Sequence, residues 1–362
     1  MITIDVRWVN SSGIGTYIRN IVPGILKAMP GEQFTLIGNP SEIHQLILGD
    51  MDSTANIAIA EARSEMYSIQ EQFELPRLIP SNTKIYFSPH YPIPLGYKGK
   101  LLVTVHDVFH LAMPKLVGGW HKRLYANLMF RLLCNKAAAI ITDSGFTKRE
   151  LLRLVPTEMP VIYPIHLGVD QSWFKVGIKK SPYHKPYLVF VGNIKPNKNL
   201  ATLVAAYIKI LPGIPHDLIL IGKKSGFITG DSEAMALAEQ YSDRIIFTDL
   251  VSDELLKGYV ANASALIFPS LYEGFGLPPI EAMACGCPVI ISDRASLPEV
   301  CGDVAIYCNP ESADDLAEKM INLLNDQSFQ DDLRHRGRER ARQFTWEKSI
   351  TQTVAVIQKL LE

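Results

Sequence analysis

Short apolar runs alternate with amphipathic stretches along this chain, in two series separated by a break. That alternation restricts the fold more than any other feature. Short apolar runs read as buried strands, the stretches between them as helices, and the repetition argues for parallel sheets covered by helices. In the first series residues 2–6, 34–37, 84–88, 101–105, 139–142 and 160–162 read as strands, and 16–29 as a helix. In the second series the strands fall at 187–191, 218–221, 245–247, 265–268, 289–291 and 305–307, and the chain is mostly helical from Ser312 onward. Between the two, residues 172–185 hold lysines, Gly177 and Pro182 without a clear period, the composition of a linker. A length of 362 residues suits two cores. The expected fold class is therefore α/β with two Rossmann-like domains, 1–175 and 186–344. Thr345, a good helix cap, opens a last helix.

Composition excludes several functions. A net charge of −1 offers no basic field for nucleic acid. No apolar run reaches membrane-spanning length, and residues 2–6 form a strand rather than an export signal. Asn10-Ser11-Ser12 matches a glycosylation sequon, which means little without export. The five cysteines form no C-x-x-C pair and have no histidine at ligand spacing, so they read as thiols in a reducing cytoplasm, with no metal site among them.

Chemistry concentrates in Glu273-Gly274-Phe275-Gly276-Leu277-Pro278-Pro279-Ile280-Glu281, directly after the apolar run 265–268. The prolines suit the first turn of a helix. Glu281 then falls near a helix N-terminus and Glu273 in the loop before it, so both can face one pocket. The backbone N–H groups of Phe275, Gly276 and Leu277 would face that pocket too, an anion site suited to a pyrophosphate. Carboxylates accept hydrogen bonds from hydroxyls. Hydroxyls beside a pyrophosphate describe a nucleotide-sugar. The plainer alternative is a glutamate favouring the helix dipole and a second one solvated in a loop.

Other candidates also fall just after strands. Gly13-Ile14-Gly15 follows the first strand and precedes a helix, with Ile18 where a dinucleotide motif would need a third glycine. His106-Asp107 follows 101–105; a strand-end cap is the competing reading for His106, and His110 lies nearby. Gly192-Asn193-Ile194-Lys195-Pro196-Asn197-Lys198 follows 187–191, Lys223 follows 218–221, and Val251-Ser252-Asp253 follows 245–247. The stretch 118–131, with Trp120, His121, Lys122, Arg123 and Tyr125, is basic and aromatic. It is a candidate for peripheral contact with anionic lipid, or an ordinary amphipathic helix.

The segment 268–278 together with Glu281-Ala282-Met283-Ala284-Cys285-Gly286-Cys287-Pro288-Val289-Ile290 resembles the donor-site signature of retaining glycosyltransferases of family 4, which have the GT-B fold. The resemblance spans nearly the whole chain and is strongest over 187–310. It implies two parallel sheets facing a central cleft, with the last helix, 345–362, crossing back to the first domain. It also implies roles. Glu273 would contact the donor sugar, Glu281 the ribose, and Lys198 the diphosphate. His106 would lie near the sugar, Gly13 and Gly15 would approach the donor phosphates or the acceptor, and Val251 lies where backbone groups hold the base. Gly192, Gly274, Phe275, Gly276 and Leu277 complete the donor site. Asn193 and Asn197 depart from the family, where arginines are frequent; Lys195 or Lys223 could supply the missing cation.

The expected activity is retaining, metal-independent transfer from a nucleoside diphosphate sugar, GDP- or UDP-linked, with GDP-mannose first. No bound cofactor is expected. The acceptor would be a hydroxyl of a glycan or lipid-linked glycan, and the location the cytoplasm, at the inner face of the membrane. Lys198 and helix N-termini would replace a cation. Asp50-Met51-Asp52 has metal-motif spacing but no strand leading into it. A hydrolysing epimerase of the same fold, or a non-catalytic sugar-nucleotide-binding subunit, are the alternatives.

Overall fold

The computed structural model describes residues 1–49, 56–176, 181–223 and 232–362. The chain divides into two compact units. The first holds residues 1–112, 119–168 and 345–362, and the second 113–118 and 169–344. Residue 175, the boundary expected from the sequence, lies inside the second unit.

In the first unit seven parallel strands form one sheet: β1 (Ile2–Asp5), β2 (Phe34–Gly38), β3 (Ile57–Glu61), β4 (Ile85–Ser88), β5 (Lys100–Val105), β6 (Ala139–Thr142) and β7 (Val161–Pro164). Their order is β3-β2-β1-β4-β5-β6-β7. β1, β2, β4 and β6 are buried along their whole length, as strands covered on both faces must be. β1 pairs with β2 on one side (Ile2↔Phe34) and β4 on the other (Ile2↔Ile85). The chain order reverses between β1 and β4, the position where open α/β sheets bind ligands.

The second unit repeats the plan with β8 (Tyr187–Val191), β9 (Asp217–Ile221), β10 (Ile245–Asp249), β11 (Ala265–Phe268), β12 (Val289–Ser292) and β13 (Ile306–Cys308), ordered β10-β9-β8-β11-β12-β13 and all parallel. Here the reversal lies between β8 and β11.

Several sequence expectations need correction. The edge strand β3 was not anticipated. Its Ile-Ala-Ile-Ala run is half exposed and pairs on one side only, with β2, so its apolar signal is weak. Gly13 and Gly15 do not precede the first helix but lie in its first turn, since the helix spans Ser12–Ala28. Gly15 N already donates to Ser11 O at 2.8 Å. The buried stripe Tyr17, Ile18, Ile21, Val22 and Ile25 outweighs the poor helix propensity of glycine. The stretch 172–185 is not only linker. Gln171–Phe174 forms a helical turn capped by Asp170 and anchored by buried Trp173. Residues 50–52 lie outside the described residues.

A buried ion cluster fixes the end of β1. Arg7 Nη2 lies 2.8 Å from Asp5 Oδ2 and Arg7 Nη1 lies 3.1 Å from Glu71 Oε2, while Tyr86 donates to Asp5 at 3.1 Å. All three charged side chains are almost fully buried. Removing the shared partner would leave two buried carboxylates uncompensated, a cost of about 3–5 kcal/mol. We expect Arg7→Ala to lower the stability of the first unit by that order in urea unfolding. A change within about 0.5 kcal/mol, the range of an ordinary surface substitution, would show that the cluster is solvated.

Candidate functional site

The second unit gathers its candidate residues at the carboxyl ends of β8, β9, β10 and β11. Backbone bonds stitch these ends together. Gly192 N donates to Ile221 O at 2.9 Å, Ile194 N to Lys223 O at 3.4 Å and Gly222 N to Asp249 O at 3.2 Å. Gly222, at φ +149°, comes so close that a Cβ there would lie 2.1 Å from Gly192 O, so no other residue fits. After Gly192 the chain makes a short 3-10 turn, Pro196–Lys198, and Asn199 adopts the left-handed conformation at φ 58°.

Asn199 is the clamp of this loop. Its amide donates to Pro269 O at 3.1 Å and Pro310 O at 2.7 Å, and its oxygen accepts from Thr202. Asn197 ties the same loop to the next one, donating to Tyr272 O at 3.2 Å while its carbonyl accepts from Leu271 N at 2.8 Å. The result brings Lys198 and Glu273 together: Nζ lies 2.7 Å from Oε1. Lys198 also sits over the Phe268 ring, 4.8 Å from its centroid. Two residues to which the family resemblance assigns separate roles are thus one ion pair, both members only slightly exposed. An ammonium has three donors, so the pair leaves Lys198 able to take a further anionic oxygen.

The helix Leu277–Cys285 starts where the prolines predicted. Gly276 caps it at φ +101°, and Pro278 and Pro279 remove two N–H groups from its first turn. Among the described residues no acceptor within the protein meets the N–H of Gly276 or Leu277. Ser296 Oγ lies 2.9 Å from the carbonyls of both Glu273 and Phe275 and holds that loop in shape. Gly274 and Phe275 are buried.

Glu281 stands one turn into the helix, half-buried, and faces other elements from Glu273. Burial pushes its pKa up to about 7. Asp253 and Asp170 add to the rise, and Lys257 and a hydrogen bond with Trp173 oppose it. Asn193 and Val251 are half-buried; the side chains of Lys195 and Lys223 are exposed.

In the first unit His106 follows β5. Its Nδ1 lies 2.8 Å from Asp143 Oδ2 and its Nε2 2.8 Å from Pro89 O. A carbonyl only accepts, so Nε2 carries a proton, and a second proton lies between Nδ1 and Asp143. Burial alone would lower the pKa of His106, but Asp143 and the Pro89 carbonyl outweigh it and hold it above the ordinary value. Both ring nitrogens are therefore already engaged, which the strand-end reading of His106 allowed. Asp107 caps Phe109 N at 2.9 Å, and His110 packs edge-on against Phe109. Gly13 is exposed and Gly15 is buried against the Val9 carbonyl.

Sequence reasoning missed His90, which follows β4. Its ring stacks on His106 at 6.0 Å and meets Trp8 edge-on at 4.7 Å, and its Nε2 lies 3.0 Å from the Tyr67 hydroxyl. Burial, then the charge of His106, holds it neutral. A histidine two residues after a strand was a signal almost as clear as that of His106, which follows β5 directly. Asp143, Ser296 and Trp173 gave no such signal, because only the fold brings them to their partners.

Residues 172–344 match the family described as glycosyl transferases group 1. The O-antigen chain mannosyltransferase B of Escherichia coli is 29% identical over 374 aligned residues, 95% of both chains. The chain is a glycosyltransferase. The O-antigen chain mannosyltransferase RfbU of Salmonella typhimurium is 28% identical to this glycosyltransferase over 64% of the chain and 62% of the relative. In fold it matches a sucrose-phosphate synthase from Thermosynechococcus elongatus, with a TM-score of 0.78 at 20% identity over 99% and 98% of the two chains. It also matches Anabaena HepE, solved with UDP-glucose, at 0.74 and 14% identity over 99% of each. The glycosyltransferase thus has the GT-B fold.

The raised pKa of Glu281 has a sign that can be tested. Its folded value, about 7, lies above the ordinary range of a glutamate, so the folded glycosyltransferase loses stability as pH rises from that range through 7. Glu281→Gln removes the charge. We expect the variant to melt above the parent at pH 8, by the equivalent of about 2 kcal/mol, with little difference at pH 5. Equal gains at both pH values would mean that the carboxyl is not shifted.

Proposed function

We propose that this glycosyltransferase moves mannose from GDP-mannose to a hydroxyl of a growing polysaccharide or lipid-linked glycan, with retention at the anomeric carbon and without a metal ion. The observation that carries the reading is the Lys198–Glu273 pair at the β8/β11 reversal, beside the unspent N–H groups of Gly276 and Leu277. One cation and two amide donors suit a diphosphate, and one carboxylate suits sugar hydroxyls. Mannose is supported by the likeness to two O-antigen mannosyltransferases, one of them matched along almost its whole length.

On this reading Lys198 neutralises the charge that grows on the departing diphosphate. Glu273 gives up part of its hold on Lys198 and orients the sugar. Glu281 accepts from the ribose hydroxyls, and Val251 lies beside the base. The leaving phosphate takes the acceptor proton as the hydroxyl attacks from the same face. His106, with both nitrogens engaged, supplies fixed charge and shape rather than a mobile proton. A reducing cytoplasm, at the inner face of the membrane, fits five buried free cysteines.

The test offers GDP-mannose, UDP-glucose and their diphosphates. GDP should raise the melting temperature more than UDP by mass action, and labelled mannose should pass to a glycan acceptor. Transfer should persist in excess EDTA. Loss in EDTA with recovery on magnesium or manganese overturns the metal-free mechanism; release of the epimerised free sugar and the nucleoside diphosphate without acceptor favours the hydrolysing epimerase; binding with no product favours a non-catalytic subunit.

Lys198→Ala should reduce turnover a hundredfold or more, about 3 kcal/mol of transition-state stabilisation. The melting temperature, read in parallel, separates this from unfolding caused by an unpaired Glu273. Near-parental turnover would remove Lys198 from the mechanism.

A further inference from the structure

Two helices of the first unit turn apolar side chains into solvent. On the helix Ile69–Leu78, Ile69 and Phe73 stand one turn apart and are 80% and 65% exposed. On the helix Trp120–Lys136, Leu124 and Leu128 are again one turn apart and are 61% and 54% exposed. The side chains of residues 120–122 lie outside the described residues. The turn that leads into the first helix touches the second helix: the rings of Tyr67 and Tyr125 have centroids 6.4 Å apart. Only the second stripe falls in the basic, aromatic stretch visible in the sequence. The first is a contribution of the fold.

Charge is arranged around this patch in one sense. Arg77 continues the first stripe one turn after Phe73, Arg131 continues the second after Leu128, and Arg123 precedes Leu124. All three are exposed, and among the described residues none has an ion pair or hydrogen bond. Elsewhere the arginines are engaged, as with Arg334, Arg336, Arg338 and Arg340. The acids on the first helix are turned to internal partners. Glu71 binds Arg7, and Glu74 accepts from the N–H groups of Arg63 and Ser64. Residues 118–136 contain no Asp or Glu, and Glu65 is the exposed acid of the turn before Tyr67.

We propose that this two-helix face docks on an anionic lipid bilayer. Leucine, isoleucine and phenylalanine side chains enter the headgroup boundary, and unpaired guanidinium groups beside them take lipid phosphates. A large apolar patch rimmed by cations that no acid answers is costly to leave in water, and an anionic surface answers both parts at once. The proposal goes beyond sugar transfer and does not depend on it, because docking needs neither donor nor acceptor.

The test is co-sedimentation of the whole protein with phosphatidylcholine vesicles, with and without phosphatidylglycerol. The parent should sediment with the anionic vesicles, weakly with the neutral ones, and less as salt rises. Phe73→Ser with Leu128→Ser should cut the bound fraction tenfold or more at an unchanged melting temperature. Arg77→Gln and Arg131→Gln should each lower the partition constant by roughly fivefold. Three results overturn the proposal. The parent stays in solution with anionic vesicles at low salt; or the serine variant sediments like the parent; or the parent self-associates without lipid and the serine variant does not, which assigns the face to a second copy.

Discussion

The pairing of β8 with β11 governs the second unit. Ala265 lies opposite Leu188 and Leu266 opposite Val189, although two further strands, β9 and β10, lie between them in the chain. Parallel neighbours cannot be joined by a tight turn, so the chain must leave the sheet and return by a crossover. Every return brings a carboxyl end to the same edge. At this one join the helices on either side depart in opposite directions, and the two loops between them have room to meet. The Lys198–Glu273 pair is a product of that geometry. The first unit repeats it: the join of β1 and β4 brings the Arg7–Trp8 loop against Pro89–Tyr91, and His90 against Trp8.

The charged groups of the two units are held in different ways. Arg7, Asp5 and Glu71 are sealed and mutually satisfied, so their work is to fix a strand end. Asp143 is sealed as well, with its Oδ1 left without a partner among the described residues, while His106 is slightly exposed. Lys198 and Glu273 are slightly exposed too, make one short contact, and can exchange partners without moving the backbone. Glu281 has the least favourable place. Its carboxyl is partly removed from water, with Asp253 and Asp170 nearby and Lys257 as the opposing charge. A group kept at such cost is expected where a ligand supplies the missing hydrogen bonds.

Much of this was legible in the sequence, for a physical reason. Strands buried on both faces must be apolar along their length, so β6, β8 and β11 could be bounded to the residue, whereas half-exposed β3 gave no such contrast. Prolines and glycines placed the turn into Leu277–Cys285 because few other residues tolerate those backbone angles. What stayed hidden depends on distant pairing. Nothing local in Ser296 says that it holds Glu273 and Phe275, nor in Asp143 that it faces His106. The exposed stripe of Ile69 and Phe73 was equally silent, since an apolar residue at helical spacing looks the same whether it faces a core or water.

The helix Trp346–Leu361 is separated in the chain from the rest of its unit by residues 169–344, nearly all of the second. Ser349 Oγ donates to His166 O at 2.5 Å, Lys100 reaches the Leu360 carbonyl at 2.5 Å, and Trp346 packs beside Tyr17. On the ribosome this sets an order. The unit that emerges first is the one finished last, because its closing helix is still unmade while the second sheet is being threaded out. Until then the apolar strip along Ser12–Ala28 that this helix covers stays open, and a nascent chain stalled anywhere in the second unit would display it to chaperones.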